Sequence, residues 1–461
     1  MDLLTRSLAA MVMLFASGCV HFECKQHGGT EVRSLTTEHF VVTSAMPLEK
    51  HKVQAEKLEL MWDTFATFFG ADVERARVPI VLLEDDDEVR YFASGYVGFV
   101  RRVGPTVLVV GAPDEEGGLG SSTHELAHLV SAFMLPRQPR WVAEGLAAMF
   151  EDAKFKDART VKMGRWNEGR AQEAFILGAL SLEELQQWQS PKDAEAEGLA
   201  YASAWAWMHY LANHDEARLR RLFAGLRSEK PIAEVMTEVF PPADAARLHA
   251  AVKQYLGDAR FRGWETSLRR SPKIEAPVTL TDWEIHSLRS RLWFIDRESG
   301  VKDLEKAVAL APNPLPAGAA VIKARLEKAA PEDLLKTYPD APEVLVEVYA
   351  NEDKVPPRAV IDAAVEKRPD DPELLLIAAR AAWASGESEA ARKFTARGLA
   401  VAPWSTDLVI HKLQIDLAES RCDEADRAWA QLLSLMNERS NALSSKPMQT
   451  MQKLLQGCRA N

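Results

Sequence analysis

Ten consecutive residues, Trp141-Val142-Ala143-Glu144-Gly145-Leu146-Ala147-Ala148-Met149-Phe150, are apolar or small except for one carboxylate. An isolated carboxylate taken out of water must be neutralised or paired. This segment can therefore fold inward only if Glu144 is protonated or meets something cationic. A candidate stands just upstream. In Ser121-Ser122-Thr123-His124-Glu125-Leu126-Ala127-His128 the two histidines are four positions apart, which on a helix puts both imidazoles on one face. They can share one zinc ion at the ~2.0–2.1 Å usual for nitrogen ligands, with Glu125 beside them as a base. Fifteen residues separate His128 from Glu144, with Pro136 and Pro139 in the connection, so a helix–turn–helix returns Glu144 as the third ligand. Gly145 then permits close approach of another helix. Three plainer readings stay open, the first being that the two histidines are only a surface pair. Ser122 and Glu125 fit a helix capping box, and Glu144 could pair with Arg137 or Arg140 instead.

The N-terminus speaks to destination. Arg6 precedes an apolar run from Leu8 to Ala16, then Ser17, Gly18 and Cys19. The run is shorter than the ~20 residues a bilayer span needs and suits a secretory signal. Small residues followed by cysteine resemble a bacterial lipoprotein signal, which implies acylation of Cys19, and Val20 after it favours the outer membrane. Plain secretion or an uncleaved anchor remain alternatives. On this reading residues 1–18 are a signal peptide and 19–37 a tether that includes Cys24 and His27. Cys422 and Cys458 either pair in an oxidising envelope or stay as buried thiols. A net charge of −11 without any long Lys/Arg cluster disfavours nucleic acid as a partner.

At 461 residues the chain exceeds one ordinary core, so two or three domains are expected. Strand-like runs at His39–Thr43, Val78–Leu83, Tyr96–Val100 and Thr106–Val110 surround a helical stretch from Met46 to Gly70. After Gly120 the pattern is almost wholly helical, which predicts an α+β domain over residues 38–270. Thr106–Val110 is either an exposed edge along which a peptide could pair or a buried strand. Residues 271–461 read as all-α. Tyr338-Pro339-Asp340-Ala341-Pro342-Glu343 is echoed thirty positions later by Arg368-Pro369-Asp370-Asp371-Pro372-Glu373, and Ala402-Pro403-Trp404 follows after thirty-four. This resembles a tetratricopeptide-like array, with an ordinary helical domain as the alternative.

His124-Glu125-Leu126-Ala127-His128 followed by Trp141-Val142-Ala143-Glu144-Gly145-Leu146-Ala147 resembles the gluzincin metallopeptidases, closest to the peptidase-MA-like bacterial proteins, over residues 38 to about 265. The resemblance implies Zn2+ held by His124, His128 and Glu144, with Glu125 as catalytic base. It further implies hydrolysis of a peptide or protein substrate in the cell envelope, with membrane attachment through lipid only. The metzincin pattern is excluded, because Ser131 and Met134 stand where its Gly and third His belong. The thermolysin-type Asn-Glu-x-x-Ser-Asp is absent, with Ala148 where an outer carboxylate could stand, so the partners that orient the rings are left open. Leu199-Ala200-Tyr201-Ala202-Ser203-Ala204-Trp205 resembles the family's downstream helix and makes Tyr201 the candidate oxyanion donor. Tyr201, Trp205 and Met208 also fit a core-facing stripe, and His209 and Tyr210 are rivals. A second functional expectation is a catalytically idle lipoprotein scaffold that binds a protein partner through its helical repeats. Glu125 favours the enzyme, since a structural zinc site has no use for a base.

Overall fold

The computed structural model describes residues 22–460 apart from 71–76, 104–105, 114–117, 136–137, 158, 189–193, 229, 269–270, 350–353 and 437–445. The proposed signal peptide and Cys19 lie outside the described residues. Six strands form the main sheet: β1 (Arg33–Thr36), β2 (Phe40–Ser44), β3 (Val78–Leu82), β4 (Phe99–Val103), β5 (Thr106–Gly111) and β9 (Val278–Thr279). Their order is β4-β5-β3-β2-β1-β9. β3 runs parallel to both β2 and β5, whereas β4 pairs antiparallel with β5. Strands in a parallel centre are covered on both faces, and the apolar Val78-Pro79-Ile80-Val81-Leu82 reflects that.

Helix α1 (Leu48–Phe69) covers one face of the sheet and ends where Gly70 turns left-handed at φ 64°. Its His51 ring donates to the Val42 carbonyl at 3.1 Å, and burial pulls that imidazole down to about 4, so it stays neutral. Helix α2 (Asp86–Phe92) precedes β4, and after β5 come α3 (Ser121–Met134) and α4 (Arg140–Glu151). Next follow α5 (Glu168–Leu177), α6 (Leu182–Gln186), α7 (Ala194–His214), α8 (Glu216–Arg227), α9 (Ile232–Val239) and α10 (Pro242–Asp258). One core cluster runs from Leu58, Phe65 and Ile80 through Leu126, Trp141, Leu146 and Trp205. Helices α4 and α7 are packed closely because Gly145 carries no side chain. A Cβ there would stand 2.5 Å from both the Ala204 carbonyl oxygen and Met208 Cγ. Gly145→Ala is accordingly expected to lower stability by ~1–3 kcal/mol through overpacking, read as a drop in the denaturant midpoint. A change below ~0.5 kcal/mol would mean that the two helices separate without strain.

The chain is mixed α+β, with its main sheet near the N-terminus and a helical C-terminal region. Three expectations are refined or corrected. The chain after Gly120 is almost wholly helical but also holds β6 (Lys154–Asp157), β7 (Thr160–Met163) and β8 (Trp264–Ser267), which form a small antiparallel sheet. The tether is built into the fold from Phe22 onward. Phe22, Cys24 and Val32 are fully buried, and β1 sits between β2 and β9. Packing also does not break at residue 270, because β9 returns to pair with β1.

The remaining helices are α11 (Asp282–Leu292), α12 (Arg297–Leu310), α13 (Ala317–Glu327), α14 (Pro342–Tyr349), α15 (Arg358–Lys367), α16 (Pro372–Ala384), α17 (Ser388–Val401), α18 (Thr406–Ala418), α19 (Cys422–Leu435) and α20 (Lys446–Ala460). α16 and α17 pack as a pair about Gly386 at φ 76°, and α18 and α19 pair about Ser420. Trp404, Leu408 and Leu432 join the same core cluster as Leu126, and α19 lies against α3. Cys422 and Cys458 are joined as a disulfide that ties α19 to α20.

Candidate metal centre

Helix α3 begins after Gly120, with no side chain capping it. The capping box is therefore not formed, and among the described residues the buried Ser122 hydroxyl has no hydrogen-bond partner. Glu125 instead lines the cleft, on the same helix face as the histidines. His124 and His128 point their Nε2 atoms at each other across 3.1 Å.

Glu144 is 4% exposed, and every residue from Trp141 to Phe150 around it is buried. Its Oε2 stands 3.2 Å from His128 Nε2 and 3.9 Å from His124 Nε2. That oxygen is within reach of His128 but out of line for a good hydrogen bond, and it is too far from His124 for one. Two ligands held ~2.05 Å from one ion at a tetrahedral angle stand ~3.3 Å apart. Two of the three separations, 3.1 and 3.2 Å, match that spacing and the third, 3.9 Å, is wider, so the three atoms face one common centre. The alternative pairing with Arg140 is not the direct contact: that guanidinium binds Glu197 at 2.6 Å and stacks on Trp188. Arg137 lies outside the described residues.

Charge in the cluster also favours a cation. Burial pulls the His128 imidazole down, but Glu144, with help from Glu125 and Glu151, outweighs it and pushes the ring up to about 9. Burial likewise raises the Glu144 carboxyl, and His128 and His124 hold it below its ordinary value.

The sequence reading missed the group that orients His124. Glu151 Oε2 accepts from His124 Nδ1 at 2.8 Å, while Oε1 is held by Arg170 at 2.6–2.7 Å. This carboxylate–histidine pair fixes the ring so that Nε2 faces the centre. The signal was present: Glu151 follows Glu144 by seven positions, two helical turns along the same face. Glu151→Gln is expected to weaken metal binding ~10–100-fold in a chelator-competition titration. Unchanged affinity would show that the ring is positioned by other contacts.

Tyr201, on α7, lines the same cleft as the three ligands and Glu125. Burial and the Glu144 charge raise its phenol, while the neighbouring Arg140 guanidinium works against them. The rivals sit elsewhere. His209 is fully buried between the Tyr255 hydroxyl at 2.5 Å and the Gly164 carbonyl at 3.2 Å, and burial pulls it down to about 4. Tyr210 packs on His214 and Tyr255.

Thr106–Val110 is not an edge. β5 is flanked by β4 and β3, so its main chain is engaged on both sides. The edge belongs to β4, and Phe99, Val100 and Arg101 line the cleft next to Glu125 and His128. The expected strand Tyr96–Val100 begins only at Phe99, leaving Tyr96 and Val97 exposed at the lip. Leu435 and Met436 from the helical region complete that wall.

A family model described as a protein of unknown function (DUF1570) matches residues 122–233, the stretch that holds the ligand helices and Tyr201. No curated protein matches the chain. Among the described residues, no helix is long and apolar enough to cross a membrane.

Proposed function

We propose that this protein is a zinc-dependent metallopeptidase of the bacterial cell envelope, of the gluzincin type, anchored through lipid on Cys19. The carrying observation is the convergence of His124 Nε2, His128 Nε2 and Glu144 Oε2 in an open cleft, with the non-ligating Glu125 beside them. Three protein ligands and a cleft suit a catalytic zinc site, which keeps one position free. Bound there, the ion would supply Lewis acidity to a water and to the scissile carbonyl.

The chain's own groups provide the rest. Glu125 accepts a proton from the attacking water and passes it to the departing amine as the C–N bond breaks. Tyr201, which lines the same cleft, donates to the oxygen that gains charge as the carbonyl carbon becomes tetrahedral. Glu151 keeps His124 in its ligating tautomer. The β4 edge offers main-chain groups to an extended peptide, which aligns the scissile bond without reading its sequence. The Cys422–Cys458 disulfide fits an oxidising compartment, and the α16–α19 helix pairs suit a tetratricopeptide-like surface for a protein partner.

Chelation tests the reading. Removing metal from the full chain should abolish hydrolysis of a broad peptide pool, and one added equivalent of zinc beyond any bound elsewhere should restore it. Turnover that survives complete metal removal would overturn the proposal.

A further inference from the structure

We propose that Glu23, Cys24, His27 and His286 form a second metal centre, a closed four-ligand site for zinc or a similarly thiophilic divalent ion. It does not rest on the peptidase reading and shares no residue with the cleft. Among the described residues, the four ligand atoms lie within 4.8 Å of one another. Cys24 Sγ is 3.3 Å from His27 Nδ1, which is 3.3 Å from His286 Nε2. Glu23 Oε1 stands 3.2 Å from His286 Nε2 and 3.7 Å from His27 Nδ1. Tetrahedral ligands on zinc are spaced ~3.3 Å for two nitrogens or oxygens and ~3.6 Å for sulfur and nitrogen, from bond lengths of ~2.0–2.1 and ~2.3 Å. A single ring nitrogen, His27 Nδ1, faces three donor atoms at once, and one proton or one lone pair cannot serve all three.

The local chain is built for this. Cys24 precedes and His27 ends the short 3-10 turn Lys25–His27, and the His27 and Gly29 amides both donate to the Cys24 carbonyl, at 3.0 and 3.1 Å. Gly28 closes the turn at φ 91°, where a side chain would be strained, and a Cβ on Gly29 would collide with the Glu23 backbone. The outer groups are in place as well. Asp303 Oδ1 accepts from His286 Nδ1 at 2.7 Å and turns Nε2 toward the centre. Arg289 holds Glu23 Oε2 at 3.2 Å, and Oε1, which also accepts from the Cys24 amide at 3.1 Å, is the oxygen that faces the ion. Charge then closes: a divalent ion balances the Glu23 carboxylate and Cys24 thiolate, and Arg289 balances Asp303. His286 and Cys24 are fully buried and the Glu23 side chain is 12% exposed, so among the described residues His27 is the ligand most open to solvent. Four protein ligands and no open position define a structural centre. Its effect is to fasten the segment five residues after Cys19 to α11, which belongs to the helical region.

Cobalt is the probe. The full-length chain, stripped and reloaded with Co2+, should show a near-ultraviolet thiolate-to-cobalt charge-transfer band, and metal analysis should give one equivalent in addition to the one expected in the cleft. Glu144→Gln should retain the band and lose one equivalent; Cys24→Ser should lose the band and the other equivalent. Because Cys24→Ser acts in the core, His27→Gln at the exposed ligand provides a second reading, with cobalt affinity for the thiolate-coloured site lowered at least tenfold. No band in the wild type, both equivalents retained by Cys24→Ser, or unchanged affinity in His27→Gln would each overturn the proposal. In those cases the cluster is a hydrogen-bonded network of protonated side chains.

Discussion

Glu125→Gln is expected to lower peptide turnover ~10²–10⁴-fold while metal stays bound in the cleft. Glutamine keeps the shape and hydrogen-bonding reach of the side chain but cannot accept the proton that the attacking water must lose. Glu125 is not among the converging ligand atoms, so coordination should survive. Metal content and turnover must therefore separate in this variant. If both fall together, Glu125 holds the ion rather than serving as base. If turnover is unchanged, the proton goes elsewhere and the mechanism proposed for this cleft is wrong.

The second large effect concerns Glu144. Glu144→Gln removes the charged ligand from between two histidines, and the loss of cleft-metal affinity should exceed the ~10–100-fold that outer partners cost. A site saturated a thousandfold above its Kd contributes ~4 kcal/mol to stability. Wild type should gain that increment in thermal unfolding with zinc, and the variant should gain none from this site. A stability loss is also expected without metal, because removing one partner of a buried charged pair costs ~3–5 kcal/mol. Wild-type metal affinity in Glu144→Gln would show that the carboxylate is only a structural neighbour of the histidines.

How much of this was legible depended on the range of the contact. The His124–His128 pair shares one helix, so its spacing alone placed both rings on one face. Glu144 stood out as the one carboxylate in an apolar run, although Arg137 and Arg140 upstream offered it a plainer partner. Glu151 was readable by the same two-turn rule, yet it sits at the end of α4, where an acid reads as solvent-facing. Tyr201 could be placed on a helix but not in the cleft, since a core stripe and a site wall have the same periodicity. The sheet was harder. Arg33-Ser34-Leu35-Thr36 carries little strand signal, and its position comes from partners at Val41–Ser44 and Val278–Thr279. β9 has two residues, too few for any period, so the continuation of the sheet past residue 270 left no trace in the pattern. For β5, the unbroken apolar run Val107-Leu108-Val109-Val110 was itself the mark of an interior strand. The second cluster shows the limit most clearly: its Cys24 and His27 are local, but His286 lies 259 positions beyond His27.

The central claim is that His124, His128 and Glu144 bind one ion together. Anomalous diffraction from a zinc-soaked crystal of the Cys24→Ser chain tests it most directly, because that background removes the thiolate of the other proposed centre. The account predicts a zinc peak ~2.0–2.2 Å from both Nε2 atoms and from a Glu144 oxygen, with Glu125 outside bonding distance. A crystal that takes up zinc elsewhere but shows no peak among these three side chains, or shows Glu144 turned from the rings, would contradict it.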